Sequence, residues 1–290
     1  MRKNNKQKSF TLIELMTVVG IIAILAGLML VGYNIFFNEA DIGSGLRFDS
    51  SIHYNLGYAL VGDWKLDDNE TNSTIVDSSG NNNNCNLYSS GVEENSSSNS
   101  VDGVNNRALY FDGDNEINCG SKDSFDITKA ITISTWAKVN NNVTGSDGAV
   151  YKREAYAIRV HQSYPDQDTW QMMLHIDGSW HGGDYPPVNE NQWDNLVLTY
   201  NSRNKTKKVY VNGKLYGETT YSGFDNYTIN SLSSELKIGL NMHGVIDQMR
   251  IFKETLSSYK IKQQYYTGLQ RLYKKGLISR EEYIKRIVKK

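Results

Sequence analysis

One apolar run near the N-terminus constrains this chain more than any other feature. From Phe10 to Phe37 the only charged residue is Glu14, and the run contains no proline. A helix of that length can cross the ~30 Å hydrocarbon core of a bilayer at about 1.5 Å per residue. The residues ahead of it carry four basic side chains and no acid. This charge pattern predicts a cytoplasmic N-terminus with the rest of the chain outside.

A basic leader before an apolar run also occurs in secretory signal peptides. Here the run is about twice as long as the ~7–15 residues of a signal-peptide core, and no Ala-x-Ala-like site follows it. Glu14 is the unexpected residue, because a carboxylate at the bilayer centre costs about 2.5–3.5 kcal/mol and persists only with a partner. A cut between Ser9 and Phe10 would create an ammonium group on the same helix face as Glu14, either within one subunit or between neighbours.

The stretch KSFTLIELMTVVGIIAILAG resembles the N-terminal methylation motif of type IV pilins and type II secretion pseudopilins. The resemblance implies that a prepilin peptidase cuts between Ser9 and Phe10 and that Phe10 is then methylated. It also implies that Glu14 neutralises the amine of an adjacent pilin or pseudopilin subunit as a filament assembles. The family usually has glycine where this chain has Ser9, and many major pilins have a proline where it has Val31. An ordinary signal anchor is the competing interpretation.

Composition divides the sequence into five segments. These are a basic leader (1–9), a hydrophobic pilin-like helix (10–40), a linker (41–57), a β-sandwich (58–253) and basic C-terminal helices (254–290). The part after the helix is long enough for a domain with its own core.

The overall charge of −1 conceals an acidic body and a basic end. Residues 41–249 carry a net charge of −12 and residues 250–290 carry +9, which argues against nucleic-acid binding by the body. The two cysteines, Cys85 and Cys119, form no CxxC pair. In an exported chain such a pair indicates a disulfide rather than a metal site.

Short alternating or apolar runs separated by Gly, Asn and Ser predict an all-β sandwich or jelly roll rather than βαβ units. Asn212-Gly213, between two such runs, predicts a type I′ hairpin. The stretches GDWKLDD, VDSSGNNNN, RALYFDGDNEINCG, ITISTWAKV and GVIDQMRIF follow in the order seen in laminin-G-like, concanavalin A-like lectin domains, which this segment resembles. The resemblance implies a two-sheet antiparallel jelly roll that binds carbohydrate or protein.

The same resemblance implies a structural calcium ion that Asp77 and Asp247 approach together. Calcium takes six to eight oxygen ligands, several of them carboxylates. Gln248 stands where the family usually has an acid, which weakens that expectation. The alternative is that both aspartates are solvated or cap turns.

Exposed aromatic side chains beside amides are the usual means of holding a sugar, because a ring offers an apolar face with a polar rim. The polar segment 177–193 presents Trp180, His181 and Tyr185, either as a ligand site or as anchors that pin the segment to the sandwich. Trp136 falls on the strand face opposite the apolar residues. It is therefore either an exposed platform or part of a surface that another element covers.

Catalysis is not expected. Related β-jelly-roll glycosidases place carboxylates on alternate positions of one strand, and no E-x-D-x-E run occurs here. His175 and Asp177 share a strand face, but no third ligand or nucleophile joins them. An exported glycosidase is the weakest of the functions considered.

The last 35 or so residues change to helical periodicity, with Gly276 between two helices and Ser279 with Glu282 as a capping box. Basic amphipathic helices can lie on anionic membranes or bind acidic partners. Alternatively, the two helices form a hairpin docked on the acidic sandwich, which the opposite charges favour.

Together these features predict a structural subunit of a type IV pilus-like or type II secretion pseudopilus filament that displays a lectin-like domain for a glycan or a surface protein. Before assembly the chain would span the inner (cytoplasmic) membrane once, and afterwards it would form part of an extracellular or periplasmic filament. The alternative is a membrane-anchored surface lectin that does not polymerise.

Overall fold

The computed structural model describes residues 11–27, 52–140, 146–161 and 168–288. The predicted processing residues Ser9 and Phe10, and Val31, lie outside the described residues. Within the described ranges no helix is both long and apolar enough to cross a membrane.

The first helix, α1 (residues 12–27), begins with a reciprocal cap. The backbone N–H and the hydroxyl of Thr11 both donate to Glu14 Oε2 at 2.9 Å. The backbone N–H of Glu14 donates to Thr11 Oγ1 at 3.3 Å. This is a capping box, in which two otherwise unpaired N–H groups of the first helical turn are satisfied. Glu14 therefore caps the N-terminus of α1, in addition to supplying the only charge of the apolar run.

Residues 60–252 form two antiparallel sheets stacked as a jelly-roll-like sandwich, as predicted. The strands are β1 (Leu60–Trp64), β2 (Thr74–Ile75), β3 (Cys85–Ser89), β4 (Val92–Glu93), β5 (Ser100–Asp102), β6 (Arg107–Asp112), β7 (Asn115–Asn118), β8 (Ala130–Val139), β9 (Ser146–Lys152), β10 (Tyr156–His161), β11 (Thr169–Ile176), β12 (Ser179–His181), β13 (Asp194–Asn201), β14 (Thr206–Val211), β15 (Lys214–Thr220), β16 (Leu236–Leu240) and β17 (His243–Phe252). The remaining helices are α2 (Ile52–Leu56), α3 (Ser96–Asn99), α4 (Ser258–Lys274) and α5 (Arg280–Val288).

The first sheet has the strand order β15-β14-β13-β8-β17-β6-β5, and β1 pairs with the second half of β17. The second sheet has the order β12-β11-β10-β9-β16-β7-β3-β2, and β4 pairs with β3. The predicted type I′ turn is present, because Asn212 and Gly213 both have positive φ, +52° and +73°, between paired Val211 and Lys214.

The core lies between the sheets and is built by alternate residues of each strand. Trp170, Met172 and Leu174 of β11 are fully buried, as the period of two predicts for one face of a strand. Cys85 and Cys119 form the expected disulfide, which ties β3 to the end of β7. Asp63 of β1 pairs with Arg250 of β17 at 2.9 Å, and both side chains are buried.

The C-terminal helices dock on the outer face of the first sheet. Tyr265 of α4 stacks on Trp136 with ring centroids 5.7 Å apart and planes 17° from parallel. Gly268 lies against the same indole, since a Cβ there would be 2.4 Å from the ring. Trp136 is only 2% exposed. The expectation that Trp136 forms an exposed platform is therefore wrong, and the alternative of a covered surface holds.

The predicted helix boundary between α4 and α5 is also present. Gly276 separates the two helices at φ +70°, and Ser279 Oγ accepts from the backbone N–H of Glu282 at 3.1 Å. The Glu282 side chain pairs with Arg286 at 2.7 Å instead of completing the capping box. The basic C-terminal segment is thus part of the folded body.

Candidate ligand-binding face

Segment 177–193 is a short hairpin followed by an extended stretch, not one long loop. Asp177 and Gly178 have φ values of +50° and +76°, which is a two-residue turn between β11 and β12. This turn pairs Trp180 with His175. Since neighbouring residues of a strand point to opposite faces, Trp180 and His175 lie on the outer face of the second sheet.

Trp180 packs against two other rings on that face. It stacks with Tyr151 of β9 at a centroid distance of 6.3 Å and 24° between planes. The ring of His175 meets it edge-on at 5.3 Å. The register pairs Tyr151 with Ala157 and Ala157 with Met173, so these three form a row across the strands. Ala157 is only 1% exposed, so neighbouring side chains cover it, and Tyr151 and Trp180 remain partly exposed.

Tyr185 lies at the border of the same face and is 49% exposed. A Cβ on Gly182 would be 3.4 Å from Tyr185 Oη and 3.5 Å from Met173 Cγ, so both side chains lie beside Gly182. We call Tyr151, Met173, Trp180 and Tyr185 the aromatic face.

A buried ion pair fixes the backbone that carries Tyr185. Lys207 Nζ of β14 lies 3.2 Å from Asp184 Oδ2 and donates to the carbonyl of Gly182 at 2.6 Å. Burial lowers the pKa of Lys207, and the carboxylate of Asp184 opposes that shift. Lys207 is fully buried and Asp184 is 17% exposed, so these contacts attach the backbone beside Tyr185 to the first sheet.

Polar groups flank the aromatic face. Arg159 Nε donates to Gln171 Oε1 at 3.0 Å, and Lys237 pairs with Glu116 at 2.6 Å. All four side chains are partly exposed on the same sheet. Ring faces bordered by amide, guanidinium and carboxylate groups suit a ligand with apolar C–H surfaces and many hydroxyls.

The four predicted ligand residues therefore separate into two groups. Trp180 and Tyr185 lie on the aromatic face. His181 does not, because its Nε2 bonds the carbonyl of Ile176 at 3.1 Å and its ring packs on Phe224 at 4.8 Å. Trp136 is buried beneath α4. Tyr151 was missed, because nothing in the local sequence shows that β9 runs beside the β11–β12 hairpin.

The surroundings of Asp77 and Asp247 do not fit a shared calcium ion. Both oxygens of Asp77 are filled by donors from Asp63, Ser79 and Asn83 at 2.7–2.9 Å, so Asp77 holds a turn. Asp247 is fully buried and accepts from the backbone N–H of Asn105 at 3.0 Å. In the described parts of the chain, no cluster of three or more His, Cys, Asp or Glu could hold a metal ion.

Sequence comparison matches residues 111–262 to a family described as the concanavalin A-like lectin/glucanases superfamily. The chain belongs to this superfamily. Residues 4–30 match the prokaryotic N-terminal methylation motif, so the superfamily domain follows a prepilin-type N-terminus, which indicates membrane anchoring before processing. A comparison with curated proteins finds no match.

Solved structures share the fold. Domain 4 of AbnA, a GH43 extracellular arabinanase from Geobacillus stearothermophilus in complex with arabinotriose, has a TM-score of 0.54 and 20% identity over 71% of this chain and 98% of its own. The binding domain of Paraclostridial Mosquitocidal Protein 1 has a TM-score of 0.53 and 18% identity over 73% of this chain. The botulinum neurotoxin serotype D ligand binding domain in complex with N-acetylneuraminic acid has a TM-score of 0.53 and 15% identity over 76% of this chain. This chain spans about half the length of the two toxin domains, 52% and 53%.

Asp247 provides a test of the calcium expectation. Burial raises the pKa of Asp247 well above its usual range, whereas the unfolded chain has a value near ~3.9. The folded state therefore binds the Asp247 proton more tightly than the unfolded chain does, so the free energy of unfolding falls as the pH rises above the unfolded pKa. We expect Asp247→Asn to raise Tm at pH 7 by a few degrees and to have little effect at pH 4, measured by circular dichroism.

Asp77→Asn is the matched control. It places a side-chain N–H donor opposite the backbone N–H groups that now donate to Asp77, so it should lower Tm at pH 7. A calcium ion held by Asp247 would give different results. In that case Asp247→Asn would lower Tm at pH 7, and EDTA would lower the Tm of the unaltered protein.

Proposed function

We propose that this protein is a pilin-like subunit that assembles into a type IV pilus-like or type II secretion pseudopilus filament and displays a glycan-binding body. A prepilin peptidase would cut between Ser9 and Phe10, and Phe10 would be methylated. The observation that carries the proposal is the methylation motif at residues 4–30 ahead of a complete lectin-type sandwich. Before assembly, the apolar segment 10–40 would span the inner (cytoplasmic) membrane once.

Glu14 would be the assembly carboxylate. In the single chain its Oε2 atom accepts two hydrogen bonds from Thr11, one from an amide and one from a hydroxyl. Both donors are neutral, and a charged ammonium donor makes a hydrogen bond roughly twice as strong. The amine of a neighbouring subunit could therefore displace Thr11 or share the carboxylate with it.

The body would bind glycans through the aromatic face. The partly exposed rings of Tyr151 and Trp180, the half-exposed Tyr185 and the polar groups at the border of the face support this role. The proposal assigns the body binding and no catalysis, and it leaves a surface protein as the second class of ligand. A structural calcium ion is not part of it.

A membrane-anchored lectin that never polymerises is the alternative. It uses the same N-terminal segment as a tether and needs no carboxylate in it. Glu14 therefore separates the two functions, since a tether gains in membrane insertion when a carboxylate is removed.

For assembly, we expect Glu14→Ala to leave the protein in the membrane fraction and to remove it from sheared surface filaments. Glu39→Ala, which removes the other carboxylate of segment 10–40, is the control and should leave filaments present. Quantitative immunoblotting of both fractions makes the measurement. Filament levels equal to those of the unaltered protein in the Glu14 variant would refute the assembly role.

For binding, we expect Trp180→Ala and Tyr185→Ala each to reduce glycan-array signals about tenfold with little change in Tm, because a stacked ring contributes about 1 kcal/mol or more. Tyr54→Ala is the control, since Tyr54 is 92% exposed on α2, away from the second sheet. Its signal should equal that of the unaltered protein. A fall in Tm with unchanged array signals would show that the rings only anchor the segment.

A further inference from the structure

A cleft lies beside α5. Its larger hollow, of about 700 Å³, is bounded by the tip of the β14–β15 hairpin, residues 186–192 and α5. A second hollow of about 390 Å³ lies between the outer face of the first sheet and the α4–α5 connection. Gln192 and Glu282 line both hollows, so the two adjoin. We call the pair the α5 cleft.

The division between the hollows is built from hydrogen-bonded side chains. Arg286 Nη1 donates to the carbonyl of Trp193 at 2.7 Å, and Nη2 donates to Gln192 Oε1 at 3.3 Å. Glu282 pairs with the same guanidinium at 2.7 Å. These contacts hold α5 over the sheet and fix the width of the cleft on both sides.

A β-bulge directs side chains into the larger hollow. Tyr210 pairs with Leu215 and Val209 with Gly217, so Tyr216 is an extra residue in β15. A bulge turns a side chain away from its regular direction and often does so beside a functional site. Leu215 and Tyr216 are 49% and 51% exposed, and Tyr216 Oη donates to the carbonyl of Tyr185 at 3.4 Å.

The hairpin tip that forms this wall is itself fixed. Gly213 approaches the ring of Tyr265 so closely that a Cβ would lie 2.9 Å from it. Asn212 donates to the buried carboxylate of Asp194 at 2.8 Å, and Asn189 donates to the same carboxylate at 2.9 Å. The β14–β15 tip and residues 186–192 are therefore both hydrogen-bonded to the buried carboxylate of Asp194, so the larger hollow is preformed.

The lining indicates the class of ligand. It combines apolar surface with amides and with charges of both signs; these residues include Tyr216, Leu215, Pro187, Gln192, Lys285 and Glu281. Such a mixture does not suit a polyanion. The bulge also disrupts the edge of β15, which disfavours an added peptide strand. A half-exposed tyrosine ring beside amide side chains suits a chain of sugars.

We propose that the α5 cleft is a second binding site, which takes a linear oligosaccharide with Tyr216 stacked on one sugar ring. None of its lining residues belongs to the aromatic face, and the two surfaces meet only where Tyr216 Oη donates to the backbone carbonyl of Tyr185. The α5 cleft shares with the proposed function the class of ligand. The larger hollow, of about 700 Å³, would hold the part of the chain that stacks on Tyr216.

The test uses full-length protein in detergent with cello-, xylo-, arabino- and chito-oligosaccharides of one to six sugars, titrated by isothermal calorimetry. We expect Tyr216→Ala to weaken the binding of the longer oligosaccharides about tenfold. Tyr54→Ala, a substitution on neither surface, should change the binding by less than about twofold, and Trp180→Ala reports separately on binding at the aromatic face. Gln192→Ala, an exposed residue of the cleft, gives a second measurement if Tyr216→Ala lowers Tm.

Three results would overturn the second site. One is unchanged binding in both cleft variants. Another is loss of all binding in Trp180→Ala alone, which would leave the proposed function standing. The last is no binding of any of these oligosaccharides by protein shown to be folded.

Discussion

The packing of α4 on Trp136 decides which surfaces of this sandwich remain available. A fully buried indole stacked on Tyr265, with Gly268 against its edge, leaves no room for a ligand on that part of the first sheet. A side chain at position 268 would force the helix away from the sheet. The helix pair therefore covers this part of the first sheet, and the α5 cleft lies along the first turns of α5. Among the described residues, the aromatic face on the second sheet keeps Tyr185 half exposed.

The charges of the two parts agree with this arrangement. The basic C-terminal helices dock on an acidic body, and their polar contacts are mostly to backbone carbonyls. Lys275 Nζ donates to the carbonyls of Gly103 and Asn106 at 2.7 and 2.6 Å. Arg286 donates to the carbonyl of Trp193. These bonds go to carbonyls that lie outside the strand pairing of the sheet. The helices therefore provide hydrogen-bond donors to the sandwich in addition to covering its apolar surface.

Much of the fold could be predicted from local pattern. Alternation placed Trp170 in the core, and the Asn212-Gly213 pair specified its turn, because both depend only on neighbouring residues. The sequence left open whether Trp136 is exposed or covered, since strand periodicity shows that a residue faces outward but not what lies above it. Only part of the aromatic face was predicted, because strand order is likewise not encoded in local pattern. Trp180 and Tyr185 lie in one polar segment, whereas Tyr151 joins them through strand order, which no local pattern encodes.

The central claim is that a prepilin-type N-terminus carries this lectin-type body as a processed subunit. The most direct test is mass spectrometry of the N-terminal peptide from protein extracted from the membrane of its own host. The account predicts a mature chain that begins at Phe10 with one added methyl group on the amine. An intact Met1, or a first residue beyond position 30, would contradict it.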